Sequence, residues 1–167
     1  MRVLLALTLV MLTAPALMAK PSPVPTPAYP TPNPALASLS RLSGQEFDVA
    51  FMRTLIPVHE EAIEIALATT LNADHPELLQ WNQKMIDRKS AQVRQMLAWL
   101  QQAGASPGRR NAGVVTDPVK KMRALRGAAL ERAYLPLMAA HLDQSVALGR
   151  LAAAKAGRSS GPSPRSW

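Results

Sequence analysis

Apolar side chains recur along residues 45–71 at Phe51, Leu55, Val58, Ala62, Ile65 and Thr69. The spacings alternate between four and three, the signature of one buried stripe on an α-helix. Pro57 falls inside this stretch and removes one ladder hydrogen bond, so a kink is expected there. "DHPE" at 74–77 reads as the next helix start, with Asp74 as cap, Pro76 in the first turn and Glu77 at capping-box spacing. The pattern predicts a helix over 76–103, with Leu79, Ile86, Val93, Met96 and Leu100 inward. "GASPGRRNAG" then marks a loop. A short helix is predicted over 117–126, opened by Asp117-Pro118 and stopped near Gly127. The last long helix covers about 129–156, with Tyr134, Met138, His141, Ser145 and Leu148 on one stripe. No strand pattern occurs, and the fold class is all-α, an up-and-down helix bundle.

The two ends of the chain have a different texture. "MRVLLALTLVMLTAPALMAK" opens with Arg2, continues with an apolar run and closes on small residues. That order predicts a secretory signal peptide over residues 1–19, cut after Ala16 or Ala19. The run is shorter than the roughly 20 residues of a membrane span. Export to the periplasm or beyond is therefore the expected localisation. Dense proline in "KPSPVPTPAYPTPNP" predicts an extended linker over 20–40, with 20–34 its proline-rich part. The Gly/Pro/Ser-rich tail, 157–167, is expected to be disordered, which leaves residues 41–156 as the folded domain.

Residues 42–66 align without a gap on 125–149. Leu42, Gly44 and Ala50 face Leu125, Gly127 and Ala133, and Phe51 faces Tyr134. A shared helical period makes apolar matches common, but it does not produce the matching glycine or the acid-x-Ala-aromatic string. We read this as an internal duplication. The stretch "DVAFMRTLIPVHEEAIEIA", 48–66, resembles the bacterial family called domain of unknown function 305, whose frame is roughly Asp-x-x-Phe followed by Met-Ile-x-His-His-x-x-Ala-Ile-x-Met-Ala. The resemblance spans about 42–154 and implies a ferritin-like arrangement of the helices. It also implies a link to copper, because some members bind copper through Met and His. Val58-His59 and His141-Leu142 stand where the family has His-His, and Leu55 and Ile65 replace two methionines. In "KSAQVRQMLAWL", 89–100, Met96, Trp99 and Leu100 keep the family pattern, whereas Lys89 replaces a neutral polar residue.

Composition narrows the chemistry. With no cysteine, thiolate metal sites, disulfides and cysteine nucleophiles are excluded. Cu(I) is soft and favours thioether and imidazole. The candidate ligands are Met52, His59, Met96, Met138 and His141. Met52 and His59 are seven residues apart on one face, and Met138 and His141 are one turn apart. His141 takes the inward position that Val58 holds in the first repeat, which puts His59 about 100° round the helix, towards its flank. Methionine at helical spacing is also ordinary core filler. Glu60, Glu61 and Glu64 are expected on a solvated face, because the Glu-x-x-His spacing of carboxylate metal sites is absent. No catalytic motif occurs, so a non-enzymatic protein is expected.

The net charge of +8 favours anionic partners. Arg109, Arg110, Lys120, Lys121, Arg123 and Arg126 form a basic cluster suited to an anionic envelope surface. Nucleic acid is not expected of an exported chain with 4% aromatics and no reading motif. Two functions follow: an envelope protein that binds or buffers copper at a degenerate Met/His site, or a metal-free structural or interaction module.

Overall fold

The computed structural model describes residues 34–159, with side chains described to Ala156. The leader and most of the linker lie outside the described residues, as does the end of the tail. Among the described residues the chain forms five helices: α1 (Pro34–Ser40), α2 (Gly44–Thr70), α3 (Pro76–Gln102), α4 (Asp117–Ala124) and α5 (Gly127–Ser159). No described residue is in a strand, and the all-α bundle expected from the pattern is the observed architecture. None of the described helices is long and apolar enough to cross a membrane.

The linker was expected to reach residue 40, but it gives way to helix α1 at Pro34. Leu39 explains this, since it is buried against Phe47 and Leu148 and draws the segment onto the bundle. Lys155 secures it, donating to the carbonyls of Ser40 and Leu42 while its ammonium lies 5.6 Å from the Phe47 ring centre.

α2 is the hub and packs against α1, α3, α4 and α5. Three apolar clusters surround it. One joins Ala62 and Ile65 to Met85, Met122, Tyr134 and Met138. The second joins Met52 and Ile56 to Val93, Met96 and Leu100, and the third is built on Leu39, Phe47 and Leu148. The expected α2 stripe is correct at Ala62, Ile65 and Thr69 but displaced earlier in the helix, where Met52, Ile56 and His59 are buried and Phe51, Leu55 and Val58 only half-buried. Ile86 and Leu79 on α3 are likewise half-buried. A helix covered on several sides buries more than one stripe, so a single period misassigns its flanks. α2 runs unbroken through Pro57, and α5 through Pro136.

The two aligned segments share backbone and burial features. Gly44 and Gly127, paired in the alignment, open α2 and α5 with φ of +54° and +50°. That left-handed conformation is freely open only to glycine. Phe47 and Leu130 are both buried, as are Ile65 and Leu148. Asp74 does not cap α3. Glu131 of α5 instead anchors the turn before α3, its Oε1 accepting from the backbone N–H groups of Asp74 and His75 at 3.2 Å each.

Candidate functional site

The five candidate ligands are divided among separate places. Met52 and Met96 lie together in the second cluster, and Met138 lies in the first, against Tyr134 and Met122. His59 and His141 lie in the middle of the bundle, 4% and 1% exposed. The sequence placed His59 on the flank of α2; it is instead turned inward, because α3 and α5 both cover that side of the helix.

Lys89 of α3 enters the same space. It is only 6% exposed, and its Nζ lies 3.3 Å from His59 Nδ1. Burial holds the His59 pKa down at about 4; the Lys89 charge adds to this, the Gln92 hydrogen bond opposes it, and His141 lowers it further. Burial also lowers the Lys89 pKa. His141 Nε2 stands 3.7 Å from Glu61 Oε2. Its pKa is lowered, chiefly by burial, with Glu61 opposing and Lys89 adding. Both imidazoles are thus neutral at neutral pH, with a lysine head group set against one of them.

A copper ion does not fit the five-residue set. Its methionines fall in different clusters, and a cation of the protein's own already lies against His59. Among the described residues no three His, Asp or Glu side chains gather closely enough to hold a metal ion. What survives is the pair Met138 and His141, one turn apart on α5 and both buried.

The acidic residues differ from expectation. Glu60 is 3% exposed and clasps the 105–116 loop. Its carboxylate pairs with the Arg110 guanidinium and accepts from the backbone N–H groups of Asn111 and Ala112. Glu64 accepts from the Gly113 N–H at 2.7 Å. Glu60 and Glu64 are therefore fasteners, not a solvated face. Arg110 correspondingly leaves the basic patch, its charge met by Glu60. Lys120, Lys121, Arg123 and Arg126 remain exposed around α4, with Lys120 3.1 Å from Asp117, and Arg109 lies exposed on the preceding loop. His75 is exposed, as expected, and its pKa is raised by the Glu131 carboxylate it pairs with.

Sequence reasoning also missed the Asn82–Tyr134 pair. The buried Tyr134 hydroxyl donates to Asn82 Oδ1, and Asn82 Nδ2 donates to the Ala66 carbonyl at 3.5 Å. Only the polar Asn82 on an otherwise inward position marked it. Burial pushes the Tyr134 pKa up, so the phenol keeps its proton.

Between α3 and α5 runs a cleft of about 480 Å³, floored by Leu55 and His59 of α2. Its α3 wall carries Lys84, Arg88 and Lys89, and its α5 wall Leu142 and Val146.

Neither the curated proteins nor the solved structures yield a match. The profile of the family described as "Domain of unknown function (DUF305)" matches residues 20–100 and stops short of the second repeat. Over residues 20–100, the stretch that contributes His59 and Lys89, this chain is similar to the DUF305 family.

Proposed function

We propose that the chain is an exported, non-enzymatic helical-bundle protein serving as a metal-free binding module of the cell envelope. One observation carries this reading: the Lys89 ammonium lies 3.3 Å from His59 Nδ1, where a metal bound through that nitrogen would have to sit. Two positive charges at that separation in a buried site repel strongly. The leader pattern supports export, and the exposed basic residues of α4 support contact with an anionic surface. Competition with a Cu(I) chelator tests the reading. The mature wild-type protein should leave the chelator fully loaded. Lys89→Met removes the charge and adds a thioether beside His59, and it should gain Cu(I) binding. Stoichiometric uptake by the wild type, lost in His59→Ala, would overturn the reading.

A second reading is weak Cu(I) binding centred on Met138 and His141, preferred over Zn(II). It is favoured by the burial that keeps both histidines neutral and so able to act as ligands. Identical competition curves for the wild type and for His141→Ala with Met138→Leu would remove it.

A further inference from the structure

We propose that the cleft between α3 and α5 binds a free single-chain amphiphile with an anionic head, of which a fatty carboxylate is the simplest member. The inference rests on the metal-free reading above, because a metal on His59 would displace the ammonium on which the head group is to sit.

The shape is that of a small-molecule site. Among the described residues no Cα of α3 comes within 8 Å of a Cα of α5. The helices meet through side chains at one end, where the Trp81 and Tyr134 rings cross edge to face at 6.4 Å. Beyond that contact they enclose the 480 Å³ cleft, within the range of roughly 300–1,000 Å³ usual for such sites.

The walls are chemically unlike. α3 contributes Lys84 and, one turn on, the adjacent Arg88 and Lys89, and no carboxylate lines the cleft. α5 contributes Leu142 and Val146, 37% and 49% exposed, and Trp81 adds an indole that is 42% exposed. One wall asks for negative charge and the other for an apolar body. Acetate would leave the apolar wall wet, and an alkane would leave the charges unmet. A second copy of the chain would set its own basic wall against this one, which like charge opposes.

Lys89 makes the case specific. It is 6% exposed, and among the described residues no carboxylate oxygen lies within 4 Å of its Nζ. A buried ammonium without a counter-charge is costly, so an anion that reaches it gains far more than one at an exposed lysine. The head group accepts from Lys89 Nζ at the floor, with Lys84 and Arg88 at the rim, and the tail lies along Leu142 and Val146.

The experiment is a titration of the mature protein with premicellar decanoate, in metal-free buffer with a copper chelator. Trp81 fluorescence is read in a Trp99→Phe, Trp167→Phe background. Saturable binding is expected, with acetate and decanol at least about tenfold weaker. Lys89→Met should weaken decanoate about tenfold or more, because it removes the buried partner charge. Lys84→Ala with Arg88→Ala, at exposed positions that leave folding intact, should weaken it about threefold. The proposal is overturned if decanoate fails to saturate the wild type, if decanol binds as tightly as decanoate, or if both variants bind like the wild type. Because copper is excluded from this titration, its outcome is independent of the copper competition. Failure here with no Cu(I) uptake there sinks the amphiphile site alone.

Discussion

α2 and α5 align in sequence but live in different surroundings. Both open on a left-handed glycine, and both bury an aliphatic residue at the same register, Ile65 in one and Leu148 in the other. α2 is covered by four helices and draws even His59 and Glu60 inside. α5 has an open flank, where Leu142 and Val146 remain exposed along the cleft. The repeat therefore specifies helix and register, while the neighbours decide which polar groups are taken in.

The comparison can be broken most forcefully at its shared core. Ile65→Ala and Leu148→Ala should each cost about 2–5 kcal/mol in chemical denaturation, as expected for fully buried aliphatic residues. A near-zero cost for either would show that the two registers are not equivalent.

The next effect belongs to α2 alone. The His59 pKa is depressed from 6.5 to about 4, so between those pH values the unfolded chain binds the proton and the folded chain does not. Stability contributed by neutral His59 is full above pH 6.5 and is lost as pH falls towards 4, on the order of 3 kcal/mol in all. Lys89 and His141 press in the same direction, and the Gln92 hydrogen bond opposes them. His59→Gln should flatten this acid limb in denaturation midpoints measured from pH 7 to pH 4. His75 has the opposite sign: its raised pKa stabilises at pH below 6.5 and is lost as pH rises through the folded value.

Smaller differences sharpen the picture. Gly44→Ala meets nothing within 4 Å and should cost about 1–2 kcal/mol, from left-handed strain alone. Gly127→Ala should cost more, because its new Cβ would stand 2.7 Å from Asp74 Oδ2 and force that side chain aside. Equal melting temperatures for the two variants would remove this asymmetry. Least of all, Val146→Ser on the open flank of α5 should change stability by less than about 0.5 kcal/mol. Its counterpart by alignment, Ile63 of the enclosed α2, is half-buried, and Ile63→Ser should cost more.

Much of the fold was legible because apolar spacing and helix-start residues are local signals. The Asp-Pro start of α4 and the glycines of the repeat read directly off the chain. The interior polar chemistry was not legible, because its partners are distant. Glu60 looked solvent-facing until Arg110, 50 positions on, came to meet it. His59 looked peripheral until Lys89, 30 positions on, closed over it. Asp74 satisfied every local rule for a cap, yet it makes no cap bond to α3, and Glu131, 57 positions away, accepts from its backbone N–H instead. Helix α1 was hidden for a related reason: Leu39 alone in a proline-rich context carries little periodic signal, and its burial depends on Leu148.

The grip of Lys155 on the Ser40 and Leu42 carbonyls bears on how the chain comes to be folded. These bonds join positions 115 and 113 residues apart, almost the full length of the domain. During synthesis the α1–α2 corner therefore waits, unfastened, until nearly all of the domain has been made. Contacts of such long sequence separation are slow to close and late to form. The first and last helical turns of the domain therefore lock together only when both have arrived.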